Sequence, residues 1–399
     1  MRIGGIFFLQ DLVFVIFFGG MLVSSFSSGR KIFLSPLLYT PFILISVAYF
    51  GKILFDDRTG IEDTMGELKA VGLFALAASV LLVAQKYSVT RERIFRDLQN
   101  MSAIGVFYIS VIGILQFTSG GFDNVLKYLY ELSVGEGLTN LEYSQQISRV
   151  TSIFVSPLTL GIFLAMSILV ILTNFKMSNR IVAFTAVLLG AITLILANAR
   201  AAIAFLLFGM VMMFFRNRNR FLSILLSLMF AGVFVWMLGF LSDENVDRYY
   251  ETAYYILSGF DSNLVPGNIT ERIFNTEILW TTIFQSGYLV FGIPASVFYR
   301  SLHYYSPDNQ FTAFLANYGI VSFGLFVWQF YVVGYLLRCY GKARNDQIKN
   351  IHLALFLLVL GGIMVGVTQE VILTKRVREL FFTFLAVSFV PEGIESEHM

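Results

Sequence analysis

The chain has 399 residues, of which 57% are hydrophobic and only 14% charged, and its mean hydropathy is +0.73. That composition lies outside the range of soluble globular domains and points to an integral membrane protein. A formal net charge of +2, with the basic residues spread among loops, excludes nucleic acid as a partner.

Apolar runs repeatedly reach the roughly 20 residues that a helix needs to cross a hydrocarbon core about 30 Å thick. The short alternating segments of a membrane barrel are absent. The expected fold is therefore all-α, a polytopic transmembrane helical bundle. Spans are predicted over 3–25, 33–54, 68–84, 103–117, 150–173, 181–197, 201–215, 221–241, 310–337 and 352–373, with a weaker last one over 380–390. Together they give about 11–12 helices. The first run ends in Ser24-Ser25-Phe26-Ser27-Ser28-Gly29-Arg30-Lys31 rather than at a small-residue cleavage site, so it is expected to stay as a helix. The single cysteine, Cys339, cannot form an internal disulfide or a cysteine cluster for metal.

Positive charge marks cytoplasmic loops, and it falls on Lys86 to Arg96, Lys176 with Arg180, Arg216 to Arg220, and Arg338 to Lys349. The 56–67 and 119–149 loops, the turn at Asn198–Arg200 and a long loop over 242–309, between the eighth and ninth spans, then face outward. This parity leaves Met1 outside, as if a spanning helix were missing upstream. It also turns Lys375, Arg376 and Arg378 outward against the charge rule, so either the last helix does not cross or those charges bind something. With no internal repeat or linker, residues 1–399 read as one membrane domain with 242–309 as an extracytoplasmic insertion. Within that insertion, Ile278 to Phe298 is apolar but broken by Gly287, Gly292 and Pro294, which suits a lid or re-entrant piece at the membrane surface.

Three places carry candidate chemistry. At Asn198-Ala199-Arg200 a helical hairpin turns and leaves an arginine at the start of its second helix. Arginine at membrane depth costs about 2.5–3.5 kcal/mol on insertion scales, so it faces a partner such as phosphate or snorkels to the interface. At Thr270-Glu271-Arg272 the arginine opens a helix against the dipole, which an anion would relieve; the alternative is that Thr270 is a cap and Arg272 a solvated residue. At His303-Tyr304-Tyr305-Ser306-Pro307-Asp308-Asn309-Gln310, either Ser306 caps a helix with Pro307 in its first turn, or Asp308 is a general base at the membrane surface. His303 competes for the role of base. Two arginines and a carboxylate on one face suit displacement of a phosphate leaving group. No HExxH, P-loop, Gly-x-Ser-x-Gly or paired Asp motif is present, so metal-dependent or nucleotide hydrolysis has no support and no cofactor is expected.

These segments resemble the O-antigen polymerase and O-antigen ligase superfamily of membrane glycosyltransferases. Residues 151–161, Thr-Ser-Ile-Phe-Val-Ser-Pro-Leu-Thr-Leu-Gly, are similar to the family's Gly-x-Phe-x-Asn-Pro-Asn helix start, and Asn198-Ala199-Arg200-Ala201-Ala202 to its Ser-Arg-Gly/Ala turn. Arg272, Trp280 and Gly292 resemble its Arg…Trp…Gly-x-Gly stretch, and Asp308 to Phe311 with Leu315 to Ile320 its His-Asn-x-x-Leu…Leu-x-x-Tyr-Gly. Asp308 stands where the ligase branch carries histidine, which favours the polymerase branch. The resemblance implies that Arg200 and Arg272 bind the diphosphate of a polyprenyl-diphosphate-linked oligosaccharide and that Asp308 activates the acceptor hydroxyl. His303, Asn309, Lys375, Arg376 and Arg378 would assist substrate binding, without metal. It further implies a bacterial cytoplasmic membrane with the active face periplasmic, a product such as O-antigen, capsule or exopolysaccharide, and an open question of whether a chain-length regulator binds. The alternatives are the ligase that moves finished glycan to lipid A core or protein, and a transporter or flippase using Asp11, Lys52 and Gln329 at mid-membrane.

Overall fold

The computed structural model describes residues 2–3, 7–8, 35–55, 80–85, 87–119, 125, 150–154, 156–175, 180–216, 251, 254, 267–294, 310–343, 345–366 and 377–390. Nearly all of them are helical. The helices are α1 (Pro36–Phe55), α2 (Arg91–Thr118), α3 (Pro157–Thr173), α4 (Arg180–Leu196), α5 (Arg200–Arg216), α6 (Gly267–Gln285), α7 (Gln310–Tyr318), α8 (Ser322–Lys342), α9 (Asp346–Gly366) and α10 (Val377–Val387). Four stretches, Pro36–Leu54, Arg91–Thr118, Gln310–Lys342 and Asp346–Gly366, are long and apolar enough to cross a membrane by length and composition. The chain divides into two compact units, residues 1–98 with 275–399 and residues 99–274.

Several expected boundaries move. The predicted span over 3–25 does not begin as helix, because Arg2–Ile3 and Phe7–Phe8 pair as two short antiparallel strands. The intervening Gly4-Gly5 opposes helix through its backbone entropy. The basic segment 86–96, expected as a loop, is helical from Arg91 onward. Thr90 Oγ1 accepts from Arg93 N at 3.4 Å, and Arg, Glu and Leu are good helix formers. Residues 150–154 precede α3 as a turn rather than joining the span, since Ser156 caps the helix and Pro157 occupies its first turn. The predicted spans over 68–84 and 221–241 lie largely or wholly outside the described residues.

The largest correction concerns 310–337. By composition Gln310–Lys342 is one apolar stretch of 33 residues. In a straight helix Gln310 and Gln329 would stand about 28 Å apart at 1.5 Å per residue. Their side-chain amides instead meet at 3.4 Å, and Phe311 lies 5.0 Å and Phe314 5.4 Å from Phe326, ring centre to ring centre. The chain therefore breaks at the 3-10 turn Gly319–Val321 and folds back, so that α7 is a half-helix lying against the 21-residue α8. Gly319 permits the reversal with a φ of +57°.

In the first unit, α8 and α9 form an antiparallel pair through the short connection at 343–345, and α1 and α10 pack on them. Trp328 of α8 donates to the Leu37 carbonyl at 2.7 Å and stacks on Phe382 of α10. Arg91, 7% exposed, donates through Nε to the Val390 carbonyl at 2.9 Å and through Nη2 to the same oxygen, while Nη1 lies 3.1 Å from His352 Nε2. A guanidinium can only donate, so His352 Nε2 accepts and the ring proton sits on Nδ1. This contact fixes the end of α10 beside the sixth residue after Asp346 on α9.

In the second unit α3 is central. Leu160, Ile162, Leu164, Ala165, Met166, Leu169 and Val170 are all buried, as expected of a helix that is apolar all round. The backbones approach closely because small residues face one another. Gly161 lies against Ala199 and Ala202, and any Cβ there would collide with Ala199.

Candidate functional site

Of the segments that carry the family resemblance, 151–161, 198–202 and Arg272 belong to the second unit, and Trp280, Gly292 and 308–320 to the first. In the second unit, Gln116 at the end of α2 organises the turn before α3. Its Oε1 accepts from Thr151 N at 3.0 Å and Ser152 N at 2.8 Å, and its Nε2 donates to Thr151 Oγ1 at 3.3 Å. Ser152, held at a φ of 51°, donates its hydroxyl to the Ile109 carbonyl at 2.7 Å. The same turn reaches the end of α4, where Val150 N donates to the Leu196 carbonyl at 3.3 Å. Thr193 Oγ1 also donates to the Ser110 carbonyl at 3.3 Å.

From Leu196 the chain reverses in three residues, Ala197 to Ala199. Asn198 adopts a φ of 51°, which asparagine tolerates better than branched residues, and donates its N–H to the Ile195 carbonyl at 2.8 Å. Arg200 is then the first residue of α5 and is half-buried. The hairpin and its arginine stand as the sequence indicated. With Gly161 against Ala199, the N-termini of α3 and α5 lie at the same end of this unit, within about a helical turn of that contact. Two positive helix ends and a guanidinium make this end attractive to an oxyanion.

Gln116 was invisible to motif reasoning, although a lone glutamine closing an apolar run is its trace. Leucine at Gln116 would leave two buried backbone N–H groups without their acceptor, each costing about 1–3 kcal/mol. We expect Gln116→Leu to lower the thermal midpoint of the purified protein markedly. An unchanged midpoint would mean that the turn is held by other contacts.

In the first unit, α6 from Asn275 onward and the turn after it lie along α7. Trp280 Nε1 donates to Thr312 Oγ1 at 3.4 Å, and Leu279, Ile283, Ile293, Leu315 and Ala316 form one buried cluster. Ile293 N donates to the Ala316 carbonyl at 2.6 Å and Ile320 N to the Leu289 carbonyl at 2.7 Å, so 289–293 runs beside 316–320. Gly292 has a φ of +87°, and a Cβ there would sit 2.6 Å from the Ala316 carbonyl oxygen. Tyr318 meets Tyr49 edge-on at 5.8 Å, and Lys52, 3% exposed, lies 5.2 Å above the Tyr49 ring. The 286–294 segment is thus folded onto the bundle of this unit.

The sequence-predicted residues are described unequally. Arg272 does not open its helix: α6 begins at Gly267, which places Arg272 in the second turn and Thr270 inside the helix rather than at its cap. The preceding Gly267-Asn268-Ile269 continues the helix forward of the expected start. Arg378 is the second residue of α10. The side chains of Arg272 and Arg378, and all of His303, Asp308, Asn309, Lys375 and Arg376, lie outside the described residues. No protein-family model matches this chain, and the search of curated proteins found no match either.

Proposed function

We propose that the protein is a membrane glycosyltransferase that polymerises polyprenyl-diphosphate-linked oligosaccharide repeat units into a surface polysaccharide. The supporting observation is that parts of the resemblance segments meet within each unit, Gly161 against Ala199 and Ala202 in one and Gly292 against Ala316 and Asn317 in the other. Segments that are distant in sequence and carry one family's pattern lie side by side in each unit, which chance matches to short motifs have no reason to do.

In this reading an acceptor sugar hydroxyl attacks the anomeric carbon of the donor. The new glycosidic bond forms as the bond from that carbon to the diphosphate breaks, with the diphosphate leaving on its lipid. Asp308 takes the hydroxyl proton. Arg200 and Arg272 stabilise the charge that builds on the leaving diphosphate. The chemistry belongs to the periplasmic face of a bacterial cytoplasmic membrane, where lipid-linked repeats are presented.

The test is polymer length in cells carrying Arg200→Ala, Arg272→Ala or Asp308→Ala, with membrane levels matched. Each is expected to shorten the polymer, and normal lengths in all three would remove the site assignment. Loss of all glycan with alanine at Asp11, Lys52 and Gln329, together with a harmless Arg272→Ala, would replace polymerisation by transport. Elongated polymer still on its lipid carrier in a deletion strain would instead indicate the ligase.

A further inference from the structure

From Asn275 onward α6 presents two faces of opposite character. Leu279 and Ile283 are buried in the cluster with Leu315 and Ala316 of α7, whereas Glu277, Trp280, Thr281, Phe284 and Gln285 are exposed. At about 100° per residue those five positions fall within one arc of roughly 140°, opposite the buried pair. Trp280 and Phe284 are one turn apart on that face, with ring centres 5.5 Å apart and planes 30° from parallel, so the two rings form one shelf. Trp280 is 41% and Phe284 54% exposed, which leaves a broad aromatic surface uncovered. The shelf is also held in place, because Trp280 Nε1 donates to the hydroxyl of Thr312, buried in the first turn of α7. The family resemblance assigns no role to Trp280 and does not include the other four residues.

The side chains around the shelf decide what it meets. On α8 the exposed positions Phe323, Val327 and Phe330 are apolar throughout, as suits contact with lipid tails. On α6 a carboxylate, a hydroxyl and an amide alternate with the rings, and a carboxylate in hydrocarbon is strongly disfavoured. The surface is therefore a wet one, on which an aromatic pair suits a ligand that is apolar on its faces and polar at its edge. A pyranose ring has that form. Its faces carry C–H groups, which the negative face of an aromatic ring attracts. Its rim carries hydroxyls, which the Glu277 carboxylate, the Thr281 hydroxyl and the Gln285 amide can bond. Glu277 also sets a charge condition, since its carboxylate repels a sugar that bears a carboxylate or phosphate of its own.

We propose that the Trp280–Phe284 shelf of α6, rimmed by Glu277, Thr281 and Gln285, is a stacking subsite for an uncharged sugar ring. That the ring belongs to the lipid-linked glycan rests on the polymerase reading, whereas the stacking itself does not.

The test uses the full chain in phosphatidylcholine nanodiscs and takes Trp280 as its own reporter. Trp280→Phe supplies the background from the other two tryptophans, Trp236 and Trp328, once its thermal midpoint matches that of wild type. The probe is the neutral oligosaccharide pool from partial acid hydrolysis of the producing cells' surface polysaccharide. A second sample of that pool has its primary hydroxyls oxidised to carboxylates. The neutral pool is expected to shield Trp280 from quenching by acrylamide, and the oxidised pool to shield it far less. Phe284→Ala, at an exposed position, should raise the half-saturating concentration about fivefold, the value of one ring contact. Glu277→Gln should let the oxidised pool bind nearly as well as the neutral one. Tyr331→Ala, exposed on α8, should change neither. Absence of shielding by the neutral pool would overturn the subsite, and quenching of Trp280 by spin-labelled phosphatidylcholine would then make the shelf a bilayer contact. Shielding unchanged in Phe284→Ala would overturn it as well. A normal polymer profile in Asp308→Asn cells would overturn the polymerase reading and leave the shielding result standing.

Discussion

Gly292→Ala is expected to remove most of the folded protein from the membrane, and Gly287→Ala is not. Both glycines have positive φ, +87° and +77°, so alanine at either carries a backbone strain of about 1–3 kcal/mol. Only Gly292 adds a collision. Its Cβ would sit 2.6 Å from the Ala316 carbonyl oxygen and 2.7 Å from that of Asn317, whereas nothing lies within 4 Å of a Cβ at Gly287. Backbone cannot rotate aside as a side chain can, so the 289–293 segment must part from α7. That separation would break the Ile293–Ala316 and Ile320–Leu289 hydrogen bonds and open the cluster around Leu279 and Leu315. Against a net stability of about 5–15 kcal/mol for a typical fold, such a loss is severe. Thermal midpoints of the two variants in one detergent decide the matter: similar midpoints would show that the segment does not depend on its packing against α7.

Arg200→Ala is expected to act in the opposite sense, sparing the fold while removing polymer. Alanine is the best helix former, and the first residue of α5 has no intrahelical N–H bond to lose, so protein level should hold or rise. On the proposed reading the guanidinium meets a phosphate, and such a charged contact contributes about 1.5–3 kcal/mol, roughly 10- to 150-fold in affinity. Arg200→Lys keeps the charge but not the planar fork and should recover only part of the chain length. Polymer sizing with immunoblotting of the same membranes separates the two effects. A drop in protein level matching the drop in polymer would make Arg200 a structural residue.

Local chemistry made much of the second unit legible. Asn198 before Arg200 marks the three-residue reversal between α4 and α5, and Ser156-Pro157 carries the cap that starts α3 within the span expected from 150, because capping and positive φ depend on residues close in sequence. The features that escaped depend on distance. Hydropathy is continuous from Gln310 to Lys342, and nothing but Gly319 hints that the chain doubles back there. Arg91 looked like a loop residue because the carbonyl that holds it, that of Val390, is 299 positions away. Charge counting places a boundary at the first basic residue, whereas a helix continues past it whenever a partner elsewhere in the fold satisfies the charge. Arg272 shows the limit of capping signals: Thr270 has the chemistry of a cap, yet the chain enters the helix three residues earlier, at Gly267.

The central claim is that this chain lengthens a lipid-linked glycan with Asp308 as the base. The most direct measurement is the size profile of lipid-linked glycan in cells carrying Asp308→Asn, beside wild type and a deletion strain, with membrane expression checked in each. Single repeat units accumulating in both Asp308→Asn and the deletion is the predicted result; long chains of normal distribution in Asp308→Asn would contradict it.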